Sequence, residues 1–249
     1  MDRRNTLLAT VGLACALGAA ALMGAATPPA GGTTKPKDKV SSKDSTKKDD
    51  ARKDSDAPKA GNASKAKASV GQKAPDFQFT DLNGKGHSLA EFSGKTVVLQ
   101  WMNPKCPICE GKMKSGEVAK MMTDAKAADP NVVWIFVNST NPGMGGSVDA
   151  SAAYLKDNKI EAIAFFEGEG TVGRMFGAET TPHTFVIDGK GVLAYSGAVD
   201  DAQSEKKGVN YTVEAVKAIK AGKTPSPATT KPYGCSVKYA KGDKAKSAS

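Results

Sequence analysis

Two continuous apolar runs, residues 97–102 and 132–137, stand out from the amphipathic stretches around them. A strand covered on both faces needs no polar side, so such runs predict central strands of a sheet with helices packed against it. Between them, Ile108, Met113, Val118, Met121 and Met122 recur at helical spacing, which predicts one helix over 107–122. Upstream, residues 77–79 alternate like a short strand that ends in the turn Asp81-Leu82-Asn83-Gly84. Downstream, the pattern predicts a helix over 149–156, a strand over 162–166 and a short helix over 172–177. Thr184 to Ile187 and Val192 to Tyr195 flank Asp188-Gly189-Lys190-Gly191, a strong hairpin signal, and a closing helix follows over 211–221. Strands alternating with helices predict an α/β fold, a central sheet flanked by helices.

Composition confines that fold to residues 70–223. Residues 1–26 have the form of a secretory signal: Arg3 and Arg4, an apolar run over 7–22 that includes Cys15, and the small residues Gly24-Ala25-Ala26. Retention as a membrane anchor is the alternative, since the run approaches the ~20 apolar residues of a span. Residues 27–69 are mostly Lys, Asp, Ser, Ala, Thr and Pro, with no aromatic residue and almost no aliphatic one, the composition of a disordered linker. That linker carries more than half of the formal charge of +9. Its excess is spread along a tail without a basic stripe of interleaved aromatics, which argues against nucleic-acid binding. Residues 224–249 form a C-terminal tail that carries Cys235. With the leader removed, Cys106, Cys109 and Cys235 remain, a close pair plus one left over, in an oxidising compartment.

The pair lies in Cys106-Pro107-Ile108-Cys109, directly after the first apolar run and at the start of the predicted helix. Two thiols at this spacing can close a small disulfide ring or share one metal ion, and the strand–helix junction favours the ring. Pro107 suits a first helical turn, where its missing N–H is no loss. Cys106 falls where unpaired amide N–H groups and the helix dipole stabilise a thiolate. Such placement lowers a cysteine pKa into the range ~3.5–7.5 and gives a nucleophile at neutral pH.

The opening Val70-Gly71-Gln72-Lys73-Ala74-Pro75-Asp76-Phe77, then Leu89, Phe92, Gly94-Lys95 and the strand leading to the cysteine pair, resembles the thioredoxin-like superfamily. It is most similar to the branch of AhpC/TSA peroxiredoxins, redoxins and exported thioredoxins of the TlpA/ResA type. A second anchor is Thr180-Thr181-Pro182-His183-Thr184-Phe185, similar to the segment that sets a cis-proline beside the pair. The resemblance implies a thioredoxin-like fold with a central mixed sheet, and an exported thiol–disulfide oxidoreductase with Cys106 attacking and Cys109 resolving. It implies disulfide-containing protein substrates bound through Thr181, Pro182 and Trp101, a membrane-bound electron donor, and no cofactor or metal. The backbone of Thr181 would pair with a partner's extended chain.

The departures from the pattern carry information of their own. Thioredoxin keeps a buried aspartate six residues before its first cysteine, and Gln100 stands there. The acid–base helper would then be water, Glu110, Lys105 or His183, of which His183 adjoins the proline. Peroxiredoxins place Thr or Ser three residues before their reactive cysteine, where this chain has Asn103, so a thiol peroxidase is the alternative reading. A further alternative is a copper-binding chaperone of the same fold, with two cysteines and a distant histidine. The tail Tyr233-Gly234-Cys235-Ser236-Val237-Lys238-Tyr239 is similar to tails of exported redoxin-like proteins, which implies that Cys235 serves as a resolving thiol.

Overall fold

Side chains that alternate across each strand divide the core into two layers. In the computed structural model, which describes residues 66–202 and 208–241, the first apolar run forms β3 (Val97–Trp101) and the second forms β4 (Val133–Asn138). Two short antiparallel strands, β1 (Gln78–Thr80) and β2 (Gly86–Ser88), precede them. Helices α1 (Pro107–Lys114) and α2 (Glu117–Ala128) link β3 to β4, followed by α3 (Val148–Asp157), β5 (Ile163–Phe166) and α4 (Thr171–Phe176). The chain continues through β6 (Thr180–Thr181), β7 (His183–Ile187), β8 (Leu193–Gly197), α5 (Tyr211–Lys220) and β9 (Cys235–Ser236). Five strands make the central sheet in the order β5-β4-β3-β7-β8. The β3–β4 and β4–β5 pairs are parallel, while β7 runs antiparallel to β3 and β8. This is the mixed, helix-flanked sheet of the thioredoxin-like fold.

Val98, Phe136, Val186 and Tyr195 face one layer with both cysteines of the pair, Met113, Val118 and Val216. Leu99, Trp101, Ile135, Phe185 and Ile187 face the other, with Phe77 and Phe176. Every residue of β3 is buried, as expected of a strand with two covered faces.

The continuous helix expected over 107–122 is two helices. Gly116 takes φ +78, a left-handed conformation that glycine adopts without a Cβ penalty, and the chain restarts in α2. The fold also begins earlier than residue 70, since the Ala68 N–H donates to Met175 O at 2.9 Å and Ala68 packs against the second layer. The expected tail does not stand apart from the domain. Thr230 N donates to Ser196 O, and the Thr230 hydroxyl meets Tyr195 Oη at 2.6 Å and the Ala198 N–H at 2.9 Å. The expected leader over 1–26 and linker residues 27–65 lie outside the described residues. Among the described residues, no helix is long and apolar enough to cross a membrane.

Asp129 ties the far end of α2 to the rest. It accepts from the Thr96 hydroxyl at 2.9 Å and pairs with Lys220 of α5 at 3.1 Å. Burial pushes its carboxyl up, but Lys220, Thr96 and the Asn131 N–H outweigh burial and hold it below the usual range. A carboxyl depressed in the fold contributes stability that is present above the unfolded pKa of about 4 and is lost as pH falls through the folded value. Asp129→Ala leaves the buried Thr96 hydroxyl without its acceptor and is expected to cost about 1–3 kcal/mol. Urea denaturation should report that loss at pH 7, with the gap to the parent protein narrowing as pH drops below about 4.

Candidate active site: a thiol pair beside a proline loop

The end of β3 and the start of α1 fix the first cysteine. Asn103 accepts the Lys105 N–H on its side chain at 2.8 Å and the Cys106 N–H on its carbonyl at 2.9 Å, which turns the chain into the helix. Cys106 is the N-cap residue in an extended conformation, and Pro107 opens the first turn. One turn on, Cys109 lies on the buried face of α1, with Ile108 on the exposed side. Cys106 and Cys109 are 1% and 4% exposed. The Cys106 thiol donates to Thr181 O at 3.0 Å, and the Thr181–Pro182 peptide is cis. The second anchor read from the sequence therefore does meet the first.

A third thiol arrives from the tail. Strand β9 pairs antiparallel with β6, matching Thr181 with Cys235 and Thr180 with Ser236. Cys235 is half-buried, and the neighbouring Cys106 sulfur is the largest cause that raises its pKa. All three are free thiols.

The two cysteines of the pair are driven apart electrostatically. The Cys109 thiol, donating to the Cys106 sulfur, holds the Cys106 pKa down to about 4 against the opposing effect of burial. Cys235, the Cys109 N–H and the Thr181 side chain add to the effect. Cys109 is pushed well above the ordinary thiol range, first by that same bond to Cys106 and then by burial. The arrangement provides a nucleophilic sulfur and a partner that keeps its proton until the nucleophile is consumed.

Several residues expected at the site lie elsewhere. Trp101 is fully buried in the opposite layer, edge-on to Phe185, and its indole N–H donates to Ser139 Oγ at 2.9 Å. It is a core residue with no surface for substrate. His183, the register partner of Trp101, stacks on Phe185 in that same layer. Its Nδ1 accepts the Glu179 N–H, and burial lowers its pKa to about 4, so it stays neutral at ordinary pH. Facing away from the thiols, it fits neither an acid–base role nor a copper site with them. Glu110 is bound to Lys114 at 2.6 Å on the surface, and Lys105 turns to Met144 O. Gln100 faces the thiol layer but accepts the Trp134 indole N–H at 3.1 Å.

Other neighbours were not anticipated. Lys112 is buried between Asp200 and Glu117, with the Tyr233 ring 5.9 Å from its ammonium, and Tyr233 Oη donates to Asp200. Burial lowers the Lys112 pKa, but the two carboxylates outweigh it and keep the amine charged. The Tyr154 hydroxyl is buried without a hydrogen-bond partner in the layer that holds the cysteine pair. A lysine one turn beyond Cys109, on the face that the cysteine occupies, was the only sign of this in the sequence.

Comparison with known proteins agrees with this geometry. Residues 69–213 match the Redoxin family. The methylamine utilization protein MauD of Paracoccus versutus is 25% identical over 128 residues, 51% of this chain and 58% of that protein. The thiol-disulfide oxidoreductase ResA of Bacillus thuringiensis subsp. konkukian is 24% identical over 142 residues, 56% of this chain and 77% of that protein. A crystal structure of a hypothetical protein from Sinorhizobium meliloti 1021 shares the fold, with a TM-score of 0.60 and 22% identity over 73% of this chain and all of that one.

In the reduced protein, thiolate absorbance and iodoacetamide reactivity should show an inflection near pH 4 that Cys106→Ser removes. Cys109→Ala should move the inflection up toward the ordinary thiol value of about 8.5, because the dominant donor is lost. His183→Asn should leave it where it is.

Proposed function

The chain belongs to the redoxin family, and on that premise we propose that it is a thiol–disulfide oxidoreductase working through Cys106 and Cys109. The observation that carries this reading is a cysteine capping a helix 3.0 Å from the carbonyl before a cis-proline, with a second buried cysteine one turn on. The first pKa is held down and the second raised, as that chemistry needs. Kinship with ResA, a named thiol-disulfide oxidoreductase, supports it.

In the reaction, the Cys106 thiolate attacks one sulfur of a substrate disulfide. The S–S bond breaks, the far sulfur leaves as a thiolate and takes a proton, and a mixed disulfide joins Cys106 to the substrate. Cys106 no longer carries negative charge, so the largest cause that raised the Cys109 pKa is gone and only burial still opposes its ionisation. Cys109 gives its proton to water and attacks the Cys106 sulfur, releasing the second substrate thiolate and closing the Cys106–Cys109 disulfide. The substrate gains two electrons and the pair loses two. An external dithiol returns them, becoming a disulfide itself. Cys235 is a second resolving partner for Cys106. Residues 1–26, with their basic start, apolar run and small residues, support export, with residues 27–65 as a spacer and the external dithiol supplied from the membrane.

Peroxide reduction fits less well. Asn103 stands where a hydroxyl residue would be needed, and the Arg174 guanidinium is engaged over the Tyr239 ring and by the carbonyls of Glu169 and Ala240.

Reduction of insulin disulfides by the dithiothreitol-cycled protein should fall on the order of 1000-fold in Cys106→Ser. Cys109→Ser should still complete the first step and accumulate a mixed disulfide visible by mass spectrometry. Undiminished turnover in Cys106→Ser would refute the assignment.

A further inference from the structure

Resting on that dithiol reading, we propose that the tail strand is a built-in occupant of the substrate groove. The groove then selects extended polypeptide disulfides whose attacked cysteine follows a glycine, and such a client must displace β9 to react.

The register supports this. Thr181 provides both the acceptor for the Cys106 thiol and the backbone that pairs with residue 235. The Thr181 hydroxyl also donates to Cys235 O at 3.3 Å. An extended chain laid on this edge brings one side chain to the Cys106 sulfur, and here that side chain is itself a cysteine. Cys235 thus stands where a client sulfur would stand. With the strand seated, Cys106 is 1% exposed, so a polypeptide disulfide in solvent has no line of attack.

The residue before the cysteine is under the tightest constraint. A Cβ on Gly234 would lie 2.2 Å from Thr181 O and 3.2 Å from Pro182 Cδ, and Gly234 has φ +115. Both facts exclude other residues from that position without movement of the proline loop. One residue earlier, Tyr233 lays its ring by Lys112 and donates to Asp200, a place for an aromatic side chain with a hydrogen-bonding tip. Beyond the cysteine, the Val237 N–H donates to Glu179 O at 2.9 Å and its side chain meets the second layer. The Tyr239 hydroxyl donates to Ala178 O at 2.7 Å. Strand addition to an exposed edge, with pockets for alternate side chains, is a general mode of peptide recognition. The tail displays the chemistry that this edge prefers: an aromatic residue, a glycine, then the cysteine.

The test uses the full-length protein and a disulfide-linked peptide pair containing Tyr-Gly-Cys. Gly234→Ala places a methyl group against the Thr181 carbonyl and unseats the strand without touching Cys106 or Cys109. If the closed groove limits the parent protein, the variant should reduce the peptide about tenfold faster in kcat/KM, the open fraction having risen by that factor. A Tyr-Val-Cys peptide should gain much less. A free peptide spanning residues 231–239 with the Cys235→Ser change should inhibit the variant, and its Gly234→Val analogue should not. If Gly234→Ala fails to fold, Tyr233→Phe, which removes only the hydroxyl that holds Asp200, should give a rise of about threefold. Unchanged or slower turnover of the folded variant, or equal rates on the two peptides, overturns the proposal. Activity that Cys106→Ser abolishes but Gly234→Ala does not raise would refute the groove alone, whereas activity that survives Cys106→Ser would refute the dithiol reading beneath it.

Discussion

The influence of each cysteine of the pair on the other's proton governs the thiol chemistry of this protein, the Cys109 thiol being the largest cause that holds the Cys106 pKa down. Cys106 also lies 3.0 Å from the Thr181 carbonyl, a contact that favours a thiol and resists a thiolate. Burial resists the thiolate too. What tips the balance is a set of donors around the sulfur, the Cys109 thiol first, then the Cys235 thiol and the Cys109 N–H. The Cys109 groups are effective because Cys106 caps α1, which brings the residue one turn later back beside the cap, and pairing of β9 with β6 brings Cys235. The same contact raises Cys109, so one interaction assigns both roles. Gln100, at the aspartate position of thioredoxin, serves the core by holding Trp134.

The period-two geometry of the sheet explains why other candidates fall away. Trp101 and His183 are sequence neighbours of the site, yet they are register partners on one face, while the thiols pack against the other. On the far face the Trp101 indole holds Ser139, which donates to Glu167 at 2.5 Å, and Glu167 accepts the Val172 and Gly173 N–H groups at the start of α4. Burial pushes the Glu167 carboxyl up even so. This chain of bonds braces the end of β3 from beneath, so the loop that carries Cys106 leaves a rigid strand. Trp101 is a positioning residue for the fold, and His183 shares its layer.

The tail is the part of the molecule that sequence distance disguises most. Its contacts begin by Ala228, whose carbonyl accepts the Ser196 N–H at 3.1 Å, and include Thr230, which binds Tyr195 and Ala198. They continue past Cys235 through Lys238, whose carbonyl accepts the Asn141 N–H at 2.7 Å, to Ala240. Anchors on both sides of a two-residue strand hold its register, and the register delivers the third thiol to the first. An edge strand left open would invite pairing with other chains. Here the edge at Thr180 and Thr181 is covered by the chain's own end.

The amino-acid sequence by itself determined the central strands, most of the helices and the cysteine pair. The apolar runs at β3 and β4, the Asp188 to Gly191 turn, and Cys106-Pro107-Ile108-Cys109 at a strand–helix junction are local signals, and local periodicity and turn chemistry suffice to read them. Their likeness to the thioredoxin-like superfamily added the proline loop. The break at Gly116 went unread, because a glycine within a helical pattern is compatible with either a continuous or a broken helix. Tertiary structure alone decided which side of the sheet each side chain faced, because a single step in register exchanges the two faces. It moved Trp101 and His183 away from the thiols, buried Lys112 between two carboxylates, and brought Cys235 onto the Thr181 edge across a long span of chain. Contacts of that kind depend on where distant segments pack, and no local pattern encodes them.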